Sequence, residues 1–276
     1  MQHGLAGVRR NRGVARNAVK IPRPHLSGWD YLAVAVFVLF ISALGKLAFG
    51  AVTVDAVVTV PQYNLNSTTA TWSHTVAGSD NFLAVYITSR TLGASNWSVS
   101  INGTLATQAI DQDSANGACA EIWYLNNPAA GVYTVLIRSN GITARGRAAS
   151  ISYNGVNTAA ATVFTGGANA TSGNPTVTVT TTDGNFVVDV ATLRVSGATL
   201  TVGPGQTQRF NIGYTGSPTS QYGTGAGSDE VASGASTTMS WTAAGGDDWA
   251  LSTMALRPLS FTPSANYMTP GTMRKW

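Results

Sequence analysis

Thr176-Val177-Thr178-Val179-Thr180 and Thr238-Met239-Ser240-Trp241-Thr242 decide the fold class of this chain. In both, hydroxyl-bearing and apolar residues alternate with a period of two, so an extended strand carries one set on each face. A helix would scatter both sets around its axis. Outward from these segments, further β-branched or aromatic runs read as strands over residues 52–60, 70–76, 82–90, 97–102, 119–125, 132–138, 148–153, 176–181, 186–195, 206–211, 237–242 and 249–257. Gly, Asn, Asp or Pro punctuates the gaps. No segment after Gly50 has helical periodicity, and no internal repeat is visible. Residues 51–258 are therefore expected to form an all-β, two-sheet antiparallel jelly-roll-like sandwich. Turns of irregular length argue against a lipocalin-like barrel.

Ahead of this domain stands WDYLAVAVFVLFISALGKLAF, residues 29–49, in which only Asp30 and Lys46 are charged. As a helix rising about 1.5 Å per residue it would cover about 31 Å, the thickness of a bilayer's hydrocarbon core. Ser27 and Asp30 have capping-box spacing, Trp29 and Tyr31 suit a membrane interface, and Lys46 can snorkel. The same letters fit a signal peptide, with residues 31–45 as its apolar region and Ala48-Phe49-Gly50 as a cleavage site before Ala51. The length and the positive tail lead us to read an uncleaved transmembrane helix over residues 29–50. Arg9, Arg10, Arg12, Arg16, Lys20 and Arg23 precede it without an acidic residue, which keeps a cytoplasmic tail of residues 1–28 inside and sends residues 51 onward across the membrane. The expected location is the bacterial inner (cytoplasmic) membrane, single-pass, with the β-domain periplasmic.

From Ala51 onward, nine Arg and Lys face eleven Asp and Glu, a net of −2, so the chain's overall +4 comes from the tail. A nearly neutral, Ser/Thr/Gly-rich domain is a poor nucleic-acid binder. Cys119 is the only cysteine, which excludes internal disulfides and cysteine-based zinc clusters.

The runs ATWSHTVAGSDNFLAVYI (70–87), EIWYLNNPAAGVYTVLI (121–137), SISYNGVN (150–157), GNFVVDVATL (184–193), GPGQTQRFN (203–211) and DDWALSTMALRP (247–258) together resemble a β-sandwich module recurring in bacterial exported and surface proteins. The resemblance implies a jelly-roll-like fold outside the cytoplasm and carries no activity with it. The anchor and the C-terminal tail, residues 259–276, lie beyond it.

Chemistry is sparse. His74 is the only histidine after the apolar segment, and it shares a strand face with Trp72 and Val76, so it reads as a core residue with its hydrogen bonds met. No G-x-S-x-G accompanies it. Glu121 and Glu230 form no glycosidase-like pair. Asp111-Gln112-Asp113 opens a run with alternating oxygens that suits calcium, but Ala115 and the late Asn116-Gly117 depart from an EF-hand, so a solvated turn is expected, with Asp111 and Asp113 as weak calcium candidates. Sequons at Asn66, Asn96, Asn102 and Asn169 are expected by chance in so Ser/Thr-rich a chain. No cofactor is implied.

These features predict a non-catalytic, single-span accessory or structural subunit of a larger bacterial membrane complex, clasping partners on both membrane faces. The layout of a short basic tail, one span and an exported C-terminal part resembles that of small subunits of bacterial photosynthetic and respiratory assemblies. Its partners would be other membrane subunits and the lipid bilayer, not nucleic acid. The expected contacts are Arg9, Arg10, Arg12, Arg16, Arg23 and Trp29 ahead of the domain, the glycine-rich loop 213–236, and Phe261, Tyr267, Arg274 and Trp276 after it. The alternative is a cell-surface adhesion or carbohydrate-binding module that holds glycans through Trp97, Tyr214 and Tyr222.

Overall fold

A computed structural model describes residues 50–65, 69–90, 97–139, 144–194, 198–213, 223–245 and 247–259. The chain divides into two compact units, Met1–Leu47 and Ala48–Trp276, and every described residue belongs to the second. The described residues are all-β and antiparallel, as expected, but their strands form four sheets instead of two.

In the first half, an inner sheet takes the order β1 (Thr53–Leu65), β9 (Ala144–Asn154), β3 (Phe82–Arg90), β7 (Ala118–Asn126) and β6 (Thr107–Asp113). An outer sheet takes the order β2 (Thr69–Val76), β8 (Gly131–Ser139), β4 (Trp97–Ile101) and β5 (Thr104–Leu105). In the second half, the inner sheet runs β10 (Thr162–Ala170), β17 (Trp249–Leu256), β12 (Phe186–Leu193), β15 (Thr224–Val231) and β14 (Thr207–Ile212). Its outer sheet runs β11 (Thr176–Thr180), β16 (Ser236–Ala243) and β13 (Leu200–Val202).

The two halves have one topology. Put β10 to β13 in the places of β1 to β4, and β14 to β17 in those of β6 to β9, and both sheet orders coincide strand for strand. Only the two-residue β5 has no counterpart. The repeat is one of structure more than of letters. Its clearest written trace is Asn81-Phe82 with Thr88 and Arg90, matched at the same spacing by Asn185-Phe186 with Thr192 and Arg194. Both asparagines are buried and do the same work: the carbonyl of Asn81 accepts from Asn127 N at 3.0 Å, and that of Asn185 from Ala232 N at 2.8 Å.

Three apolar layers hold the sheets together. Leu83, Val85, Ile87, Val99, Val135 and Ile137 fill the space between the first inner and outer sheets. Val187, Leu193, Val179, Met239, Trp241 and Leu251 do the same in the second half. Between them, Phe82, Tyr86, Tyr153, Phe186, Val190 and Met254 join the two inner sheets face to face. The inner sheets are thus covered on both sides, and β12 and β17 are buried at every position. Polar bonds stitch this middle layer: Thr192 Oγ1 donates to Cys119 O at 2.6 Å, and Ser252 Oγ to Ala120 O at 2.7 Å.

Close packing explains two strands that the sequence reading left as loop. β15 (TGAGSDEV) falls within the expected loop 213–236, yet Thr224–Asp229 is buried throughout. A Cβ on Gly225 would strike Thr88 and Arg147 of the first half, and one on Gly227 would strike Phe210. In β10, likewise, a Cβ on Gly167 would meet Gln112 and Ile110 of β6. Glycine is kept where two sheets leave no room for a side chain.

Both ends of the domain emerge at one end of the strands. Val156 bridges Pro258, and Leu259 N donates to Gly155 O at 2.8 Å, beside the start of β1. We call this the proximal end. Arg90, Ala118, Ala144 and Arg194 mark the opposite, distal end.

Because the middle layer belongs to both halves, residues 51–158 expressed alone should fail to give a soluble folded monomer, whereas residues 51–259 should melt in a single transition that circular dichroism and calorimetry report together. Gly225→Val should lower stability by about 1–3 kcal/mol through overpacking, measured by urea denaturation.

Candidate functional site

The densest group of ionisable side chains off the middle layer lies on β6 and β7, at the distal end of the first half. Antiparallel pairing sets Asp111 opposite Glu121 and Asp113 opposite Cys119, so all four point from the same face of the inner sheet. The structure therefore places Asp111 and Asp113 on a strand, not in the solvated turn expected from sequence; the turn itself is Ser114–Gly117, where Gly117 N donates to Ser114 O at 3.1 Å. It adds Glu121 and Cys119, which the sequence reading had assigned to no site. One ligand atom each from Asp111, Cys119 and Glu121 lies within 4.8 Å of the others.

Glu121 is fully buried, and its carboxyl accepts from Trp123 Nε1 at 2.7 Å, Gln108 Nε2 at 3.1 Å and Cys119 Sγ at 3.4 Å. Burial pushes its pKa up to about 8, Asp111 pushes the same way, and these three bonds resist. At neutral pH the group is held mainly as the acid. Burial and then the charges of Glu121 and Asp113 also raise the Cys119 thiol, so it is not a resting thiolate. A hard cation such as calcium prefers oxygen ligands throughout, and a softer one needs the thiolate. As built, the cluster is a hydrogen-bonded acid pocket that must lose protons before it could ligate a metal.

His74 sits where the sequence reading put it, in the core. It is 1% exposed and bonds through both ring nitrogens, Nδ1 to Ser150 Oγ at 2.8 Å and Nε2 to Ser152 Oγ at 3.0 Å. The neighbours fix the tautomer. Ser152 Oγ donates to Asp55 Oδ2 at 2.8 Å, so it must accept from His74 Nε2–H. Ser150 Oγ accepts from Trp72 Nε1 at 2.8 Å and gives its proton to Nδ1. The chain of bonds has the residue types of a hydrolytic triad, but the aspartate holds the serine rather than the histidine. Both serines are 0% exposed, so no substrate reaches them.

The second half buries Asp189, Asp229 and Asp248. Asp189 accepts from Ser228 N at 2.7 Å, Ser228 Oγ at 2.8 Å and Trp241 Nε1 at 2.8 Å. Burial raises it to about 7 against the pull of these bonds. Its counterpart in the first half is Val85, so the two halves differ here in chemistry while sharing a backbone.

Of the glycan candidates, Trp97 is 6% exposed and packs in the first apolar layer, which removes it as a sugar platform. Tyr214 and Tyr222 lie outside the described residues. So do Arg9, Arg10, Arg12, Arg16, Arg23, Trp29, Phe261, Tyr267, Arg274 and Trp276. Among the described residues no helix is long and apolar enough to cross a membrane, and residues 29–49 are not among them.

No known protein family, characterised protein or solved structure matches the chain. The buried acids make a prediction about pH. Glu121 titrates near 4.5 in the unfolded chain and near 8 when folded, so the folded state holds the extra proton between those values and stability falls as pH rises through them. His74 acts in the opposite sense: its folded pKa is depressed, so its contribution is lost as pH drops below 6.5. Glu121→Gln should therefore gain on the parent between pH 5 and pH 8, and His74→Gln should gain on it as pH falls from 7 to 5. Urea midpoints across that range measure both differences.

Proposed function

We propose that this protein is a non-catalytic, single-span accessory subunit of a larger bacterial membrane complex, of the photosynthetic or respiratory kind, with a jelly-roll-like sandwich in each half of its periplasmic domain. One observation carries the reading. The described domain begins and ends side by side at its proximal end, where Leu259 N bonds Gly155 O next to Ala51. The apolar segment before the domain and the aromatic, basic tail after it both join it there. A body attached in this way leaves its flanking segments free to engage membrane partners while the strands only position them. The buried His74 and the fully hydrogen-bonded Asp189 support a structural role for the ionisable interior.

A second reading, a surface adhesion or carbohydrate-binding module, draws on the same geometry: turns gathered at the end away from the attachment are where sandwich modules carry binding loops. Extraction in mild detergent separates the two. The subunit reading expects co-migration with a larger complex on native gels and an intact mass that retains Met1 or a residue near it. A chain that starts at Ala51, runs alone and is retained on a glycan array belongs to the second reading and ends the first.

A further inference from the structure

We propose that the distal mouth between the two inner sheets is an oxyanion site, where Arg90, Arg145, Arg147 and Arg194 take one carboxylate, sulfate or phosphate group. The domain from Ala51 onward has only nine cationic side chains, and the fold brings four of them to this mouth. Arg90 pairs with Arg145 across β3 and β9, and Arg147 pairs with Thr88 one step inward, so the three arginines share a face. That face looks towards the second half, since Thr88 and Arg147 are the atoms a Cβ on Gly225 would strike. Arg194 comes from the other side. It follows Thr192, whose hydroxyl donates to Cys119 O in the first inner sheet, by the two residues that return a strand to the same face.

Arg90 feels Arg194. Arg90 is held below the usual arginine range by burial and by the charge of Arg194, with Asp247 opposing. Among the described residues, Asp247 meets Arg194 Nη2 at 2.9 Å, and Asp248 meets its Nε at 3.0 Å, both from one turn of the second half. Asp248 is also fixed by Asn116 Nδ2 at 3.0 Å. The acids of β6 and β7 lie on the opposite face of their sheet. The mouth thus gathers four of the nine cationic side chains of a domain whose net charge is −2. Planar guanidinium forks suit a group with two or three equivalent oxygens. The acidic balance of the remaining surface disfavours a polyanion, so the fitting ligand bears a single charged group: a free inorganic anion, or a uronic sugar on an otherwise neutral glycan. The inference is independent of the membrane reading, because a secreted domain would have the same mouth.

The full chain in mild detergent is titrated with sodium sulfate, sodium phosphate and galacturonate, with sodium chloride at matched ionic strength and galactose as controls, and followed by thermal shift and calorimetry. The site predicts saturable stabilisation by at least one oxyanion and none by the controls. Arg90→Gln, at a half-buried position, should weaken that binding about tenfold or more, while Arg138→Gln on the exposed face of the first outer sheet leaves it unchanged. A response to galacturonate alone identifies a sugar acid, and a response to sulfate or phosphate identifies a free anion; either supports the site. No saturable response to any oxyanion, or equal affinity in Arg90→Gln, overturns it.

Discussion

Every other feature of this domain answers to the contact between its two inner sheets. An antiparallel sheet usually keeps one face wet, and its strands alternate accordingly. Here each inner sheet has an outer sheet on one side and its twin on the other, so its central strands have no face left for water. Strands in that position must be apolar or very small, and their polar atoms must find partners inside. Phe82, Tyr86, Tyr153 and Phe186 fill the wide parts of the gap, with Tyr153 and Phe186 in an edge-on ring contact at 5.8 Å. Gly225 and Gly227 occupy the narrow parts. The hydroxyls of Tyr86 and Tyr153 bond each other at 2.7 Å and leave no phenol unsatisfied in the layer.

That constraint also sets what could be read from the letters. The outer strands β11 and β16 have one wet face, and their alternation of Thr or Ser with Val, Met or Trp announces them. β3, β12 and β17 were equally plain, because a run of large apolar residues bounded by turn formers can only be a buried element. β6, β10 and β15 were not. Their sequences, TQAIDQD, TVFTGGANA and TGAGSDEV, are polar or glycine-rich because neighbours press on them, and intrinsic preference for strand is weak beside packing. The short pieces β5 and β13 carry too few residues to show a period. The tandem topology was hidden for a related reason: a backbone plan survives substitutions that conserve only size and burial, so Tyr153 matches Leu256 and Val85 matches Asp189. Asp111 and Asp113 stand two residues apart in the sequence, but Glu121 and Cys119 reach them through strand pairing, which spacing along the chain does not reveal.

The buried acids fall into two groups. Asp229 and Asp248 are buried against the partly exposed Arg209 and Arg194, whereas Glu121 and Asp189 are met by donors that stay neutral, such as the indoles of Trp123 and Trp241. This favours the protonated acid and avoids desolvating an ion pair. Arg90, Arg145, Arg147 and Arg194 gather at the distal end, with Arg147 buried there, while Arg209 pairs with Asp229 on β14 and β15.

The adjacent ends of the domain have a mechanical consequence. Tension between the segments before Ala51 and after Leu259 would act across a few atoms at one corner, where Gly155 and Leu259 meet, instead of along the strands. Such a load peels an edge one hydrogen bond at a time, starting with the Val156–Pro258 bridge, and does not shear whole sheets. The body is consequently a poor strut but a good pendant.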